Sequence, residues 1–98
     1  MVVIVIVTGP AEADLEHIAD YIATRNPLRA LTFVRELRDK CEALANAPRA
    51  YPLVPRYEHF GIRRRHYLIF YRIGVGTIDI VHILHGAQNY EPILFPET

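Results

Sequence analysis

Three consecutive arginines, Arg63, Arg64 and Arg65, are the densest run of chemically capable side chains in this 98-residue sequence. A guanidinium offers a planar fork of donors that matches a carboxylate or a phosphate. The run falls in a predicted strand, where alternation puts Arg63 and Arg65 on one face and Arg64 on the other. Unless that strand is bulged, the three cannot converge on one phosphate. They read either as a solvated edge strand whose charges discourage pairing or as an arginine surface for an acidic partner. His82 and His85 are the candidate acid–base pair. Three apart on a regular strand, they point to opposite faces, so they can neither act on one substrate nor share a metal. Asp14 and Asp20 lie six apart on a predicted helix and read as solvated, dipole-compensating carboxylates. Cys41 falls in an apolar stripe and reads as a core thiol. Gly74 and Gly76 are turn residues and not a phosphate loop. No cofactor and no metal site is expected.

The elements that must position these groups follow from periodicity and punctuation. Residues 2–7 are apolar and β-branched, which predicts a strand. The run is too short to span a bilayer and lacks the basic region of a signal peptide. Being almost purely apolar, it is expected inside a sheet and not at a wet edge. Thr8-Gly9-Pro10 opens a helix whose stripe is Leu15, Ile18, Ala19 and Ile22. Asn26-Pro27 caps and starts a second helix, with the stripe Ala30, Val34, Leu37, Cys41 and Leu44. Two amphipathic helices with so short a turn form an antiparallel hairpin. Pro48, Pro52 and Pro55 mark an extended connection. Strands then follow over 61–65, 66–73 and 77–85, the last two joined by a turn at Gly74-Val75-Gly76. The tail from Tyr90, with Pro92 and Pro96, is expected to pack irregularly or to fray. The fold class is α+β: an N-terminal strand, a helical hairpin and a three-stranded antiparallel meander in two layers, β-α-α-β-β-β, as one domain over residues 1–98.

Composition bounds the function. Apolar residues make up 51% and charged residues 22%, which excludes a disordered chain. A single cysteine excludes a disulfide scaffold and suits a reducing cytoplasm. The net charge is zero, yet residues 1–24 hold four acids and no base, while residues 49–72 hold six arginines and one acid, Glu58. Neutrality argues against nonspecific nucleic-acid binding, and the asymmetry argues for an acidic and a basic part. Along the strand at 66–73, Leu68 and Phe70 are assigned to the helix side. Tyr67, Ile69 and Tyr71 are assigned to an open face suited to an interaction.

Several motifs occur in an order similar to that of the ParE/RelE toxin superfamily. Ala13-Asp14-Leu15-Glu16-His17-Ile18-Ala19-Asp20-Tyr21-Ile22 resembles the family's first helix. Asn26-Pro27 with Ala30 and Phe33 resembles the start of its second, and Leu44, Pro48 and Pro52 its exit. Tyr67-Leu68-Ile69-Phe70-Tyr71-Arg72 and Ile83-Leu84-His85-Gly86-Ala87 resemble two of its strands. The resemblance spans nearly the whole chain. It implies a toxin of a plasmid-stabilising, type II toxin–antitoxin module that inhibits DNA gyrase. It also implies neutralisation by a ParD-like antitoxin, a ribbon-helix-helix DNA-binding protein. Nucleic acid is then met only through gyrase or the antitoxin, and no membrane is involved. The alternative within the superfamily is a RelE-like, ribosome-dependent mRNA endoribonuclease. General acid–base and phosphate-stabilising groups are dense in such sites. Here the sheet has no lysine and the histidines point apart, so a non-catalytic binder is expected. Its partner-facing set is Arg63, Arg64, Arg65, Tyr67, His85 and Tyr90.

Overall fold

A computed structural model describes residues 3–65, 69–85 and 89–96. Strand β1 (Ile4–Val7) leads into helix α1 (Gly9–Ala23), and helix α2 (Pro27–Ala43) returns antiparallel to it. Strands β2 (Ile62–Arg65), β3 (Ile69–Ile73) and β4 (Thr77–Ile83) follow, then a short helix α3 (Glu91–Leu94). Both long helices start where the cap residues predict. Thr8 is the N-cap of α1, and its hydroxyl also donates to the Ile80 carbonyl at 2.7 Å, which ties the helix start to β4. The Asn26 side chain accepts from the Arg29 amide at 3.1 Å, and proline occupies the first turn of each helix.

The sheet order is β1-β4-β3-β2, with β1 parallel to β4 and the other pairs antiparallel. The meander is as expected, but the place of β1 is not. It forms an outer edge, with Ile4 58% and Ile6 43% exposed. The tight turn at 74–76 and the β2–β3 ladder make β2, β3 and β4 neighbours, so β1 can only join at an end. The end beside β2 is taken by the preceding connection: Val54 N–H donates to Ile62 O, and Arg64 N–H to Pro52 O. An unbroken apolar run therefore need not mean a strand covered on both faces.

Two cores form, one on each side of the sheet. Under the helices, Ala11, Leu15, Leu37, Cys41 and Leu44 meet Ile69, Tyr71, Ile78, Ile80 and Ile83. On the opposite side, Val54, Ile62, Phe70, Leu84 and Phe95 form a second, smaller cluster. This reverses the expected assignment of faces: Ile69 and Tyr71 lie under the helices, and Phe70 lies away from them. The Tyr71 hydroxyl decides it, reaching the Pro48 carbonyl at the exit of α2 at 2.6 Å. Nor is the far face open at this point, because Val54 and Tyr57 of the connection and the C-terminal segment cover it. The register between β3 and β4 shifts between Phe70 and Tyr71, where β4 carries one extra residue.

The helical hairpin is clamped at its surface by a bidentate pair, Arg38 to Glu12 at 2.9 and 2.8 Å. The hydrogen bond from Arg38 holds the Glu12 carboxyl below its ordinary value. Both side chains are more than 40% exposed, so screening limits the pair to about 1 kcal/mol or less. A depressed carboxylate contributes above its unfolded pKa. Arg38→Ala is therefore expected to lower urea-unfolding stability slightly at pH 7, and the difference from wild type should fade as pH falls through the lowered pKa of Glu12.

Candidate functional site

The arginines of β2 alternate as their spacing requires. Arg63 and Arg65 are cross-strand partners of Tyr71 and Ile69, on the helix side, whereas Arg64 partners Phe70 on the other. Arg63 Nη1 donates to the Tyr51 carbonyl at 2.7 Å. Arg65 Nε donates to the Tyr51 hydroxyl at 3.2 Å, with its guanidinium 5.4 Å above that ring. Tyr51, between Ala50 and Pro52 in the extended connection, thus gathers two arginines. Its position in the sequence carries no signal of this, because the contact depends on where the connection crosses β2. Arg65 Nη1 is buried with no hydrogen-bond partner among the described residues, a demanding state for a charged group. Beside these cations Tyr71 stays a neutral phenol, since burial raises its pKa against the pull of Arg63.

Arg64 is the exposed member of the run. Its guanidinium lies 5.5 Å from the Tyr90 ring, which in turn packs 5.2 Å from Phe70. Tyr90 also begins the C-terminal segment that closes the second core. There Tyr57 stacks on Phe95 at 4.1 Å, and the Tyr57 hydroxyl donates to Glu91 at 3.1 Å. Residues 90–96 are thus anchored, with a helix at Glu91–Leu94 where irregular packing or fraying was expected, and Phe95 is only 2% exposed. Tyr67 lies outside the described residues.

The other polar cluster sits where α1 crosses the end of β4. Asp14 Oδ2 accepts from the Ile83 amide at 2.9 Å and lies 2.7 Å from His82 Nδ1. Asp14 is therefore not the solvated carboxylate expected of it. It caps the backbone of β4 from the helix layer. A signal was present: Asp14 falls between Ala11, Leu15 and Ile18, on the stripe that faces the sheet, where a carboxylate needs a donor. Asp20 is exposed as expected.

Asp14 also lines a cavity of about 670 Å³ together with His17, Ile18, Tyr21, Ile22, Phe33, Ile83 and His85. The strand ends at Ile83, so His85 lies beyond it, and the alternation argument for a regular strand does not apply to this pair. His82 is held by Asp14, and His85 borders the cavity that Asp14 lines. The lining is mainly apolar with a few polar groups, Asp14, His17 and His85 among them, the make-up of a binding cleft. Among the described residues, no group of three His, Cys, Asp or Glu side chains is placed to hold a metal ion. Cys41 is 1% exposed, and burial pushes its thiol up to about 11, which makes it a core residue and not a nucleophile.

The site residues are thus split. Arg63 and Arg65 share Tyr51, Arg64 and Tyr90 share the far face, and His85 belongs to the cleft between α1 and β4. A helical hairpin laid on a mixed four-stranded sheet, with a second core behind it, defines a small two-layer α+β protein. Residues 5–90 match the family described as ParE toxin of type II toxin-antitoxin system, parDE. The chain belongs to this ParE toxin family. It is also similar to a solved chain titled "Chromosomal ParDE TA system from P. aeruginosa", with a TM-score of 0.70 and 22% identity. The similarity covers 85% of this chain and 95% of that one, and it bears on the fold. No curated protein matches the sequence. Among the described residues, no helix is long and apolar enough to cross a membrane.

Proposed function

We propose that this member of the ParE family inhibits DNA gyrase by binding it, without breaking a bond, and that a ParD-like antitoxin neutralises it in the cytoplasm. The observation that carries the non-catalytic part is the division of the candidate groups. A ribonuclease of the related kind would use Arg63, Arg65, His85 and Tyr90. Arg63 and Arg65 are engaged with Tyr51 on the helix side of the sheet, while Tyr90 packs on Phe70 across the sheet. General acid–base catalysis needs its groups within hydrogen-bond reach of one reacting centre.

The binding part rests on surface chemistry. Arg64 is an exposed guanidinium backed by an aromatic ring, suited to an acidic partner surface. The cleft between α1 and β4 is apolar, with Tyr21 72% exposed at its border. An amphipathic antitoxin segment would fit there in the helix-in-groove mode.

The test is supercoiling by purified gyrase. Excess toxin is expected to abolish supercoiling, and added antitoxin to restore it. Arg64→Glu is expected to weaken inhibition by roughly tenfold or more, by placing like charge against an acidic partner. Full supercoiling at excess toxin would sink the gyrase reading. Cleavage of ribosome-bound mRNA that is lost in His85→Ala would replace it with the ribonuclease.

A further inference from the structure

The two edges of the sheet are treated differently. The outer edge of β2 is covered by the 52–54 segment and carries three arginines. The outer edge of β1 is bare among the described residues. It has no proline, no bulge and no charge, and the sequence has no charged side chain before Glu12. Exposed strands usually carry one of these devices, because unpaired N–H and C=O groups are a template for another strand.

We propose that β1 pairs antiparallel with β1 of a second copy of this chain, about a two-fold axis at Val5. The hydrogen bonds set the register. Ile4 N–H donates to Gly76 O and Thr8 N–H to Ile80 O, both at 3.1 Å. Even-numbered residues therefore turn their backbone groups to β4, and Val3, Val5 and Val7 turn theirs outward. In the antiparallel pair Val5 faces Val5 of the second copy, and Val3 faces its Val7, as the hydrogen-bonded positions. Ile4 then lies opposite Ile6 of the second copy, and Ile6 opposite its Ile4, as the close, non-hydrogen-bonded positions. These are the two apolar side chains that β1 exposes, at 58% and 43%. The contact covers both.

Charge and area name the occupant and its strength. A strand bearing acids or bases would desolvate them against an uncharged edge, whereas a second β1 brings none. Four or five paired residues bury less than the roughly 1,200 Å² of a stable standard-sized interface. The dimer is therefore weak and concentration-dependent.

The test mixes two single-cysteine variants, Ile4→Cys and Ile6→Cys, of the full chain under mild oxidation. Non-hydrogen-bonded antiparallel partners lie within disulfide reach. The mixture should therefore form at least about tenfold more covalent dimer than either variant alone. Cys41 is buried and does not interfere. Sedimentation velocity should show wild-type protein dimerising at concentrations of roughly 10⁻⁴ M and above. Ile4→Lys with Ile6→Lys, at exposed positions that leave the far-ultraviolet spectrum unchanged, should stay monomeric there. Cross-linking no better in the mixture than in Ile4→Cys alone overturns the proposal, as does a wild-type monomer at the highest concentration. Protection of the Val5 and Val7 amides from exchange only when a different protein is added assigns the edge to that partner, and also overturns it.

Discussion

Phe95→Ala is expected to lower the unfolding free energy by about 3–5 kcal/mol. Phe95 comes from the last residues of the chain, yet it is 2% exposed. Its ring lies 4.1 Å from Tyr57, nearly parallel, and 4.7 Å from Phe60. Truncation leaves a void in a cluster whose buried members, among the described residues, are Val54, Ile62, Phe70, Leu84 and Phe95. So small a cluster has little material with which to collapse around the gap. For a domain of this size, each kcal/mol moves the melting temperature by about 4–8 °C, so a fall of more than 10 °C is expected in a thermal melt. Ile93→Ala is the control: Ile93 is 37% exposed, and a loss of about 1 kcal/mol or less is expected. Equal effects from the two substitutions would mean that the C-terminal segment is not held by Phe95.

Asp14→Ala carries the second large effect. One carboxylate oxygen accepts from the Ile83 amide and also lies within hydrogen-bond distance of His82. Ile83 is 1% exposed, so its N–H loses an acceptor in a place that water does not readily fill. Stranding a buried donor costs about 1–3 kcal/mol, and losing a charged acceptor puts the result at the upper end of that range. Asp14→Asn keeps the shape and one amide oxygen for the Ile83 N–H, so about half the loss is expected. Urea unfolding of both variants at one pH reads the difference. If alanine and asparagine behave alike and cost nothing, Asp14 does not hold β4 to α1.

The helices were legible in the sequence because their signals are local. Thr8 with Pro10 and Asn26 with Pro27 mark two starts, and Leu37, Cys41 and Leu44 mark a buried stripe that the structure keeps. The alternation of Arg63, Arg64 and Arg65 was legible for the same reason, since a strand leaves no other choice. The face that Phe70 and Tyr71 present was not. A period of two allows two equal solutions, and a hydroxyl meeting the Pro48 carbonyl 23 positions away selects one of them. Tyr51 and Phe95 were missed because proline-rich connections carry no periodicity from which burial can be read.

By itself, the sequence determined the two long helices, the strands and their order, the two-layer class and the family, but not the short helix α3. These rest on caps, stripes and turn residues that act within a few positions of each other. The tertiary structure decided where β1 stands, that the sheet is covered on both sides, and that Asp14 faces β4 and not solvent. Each depends on contacts between distant segments: the 52–54 connection occupying the β2 edge, the C-terminal segment folding over Phe70, and α1 crossing the end of β4. Strand pairing and packing choose among arrangements that local preference leaves equal. The edge position of β1 follows from that choice and not from its own four residues.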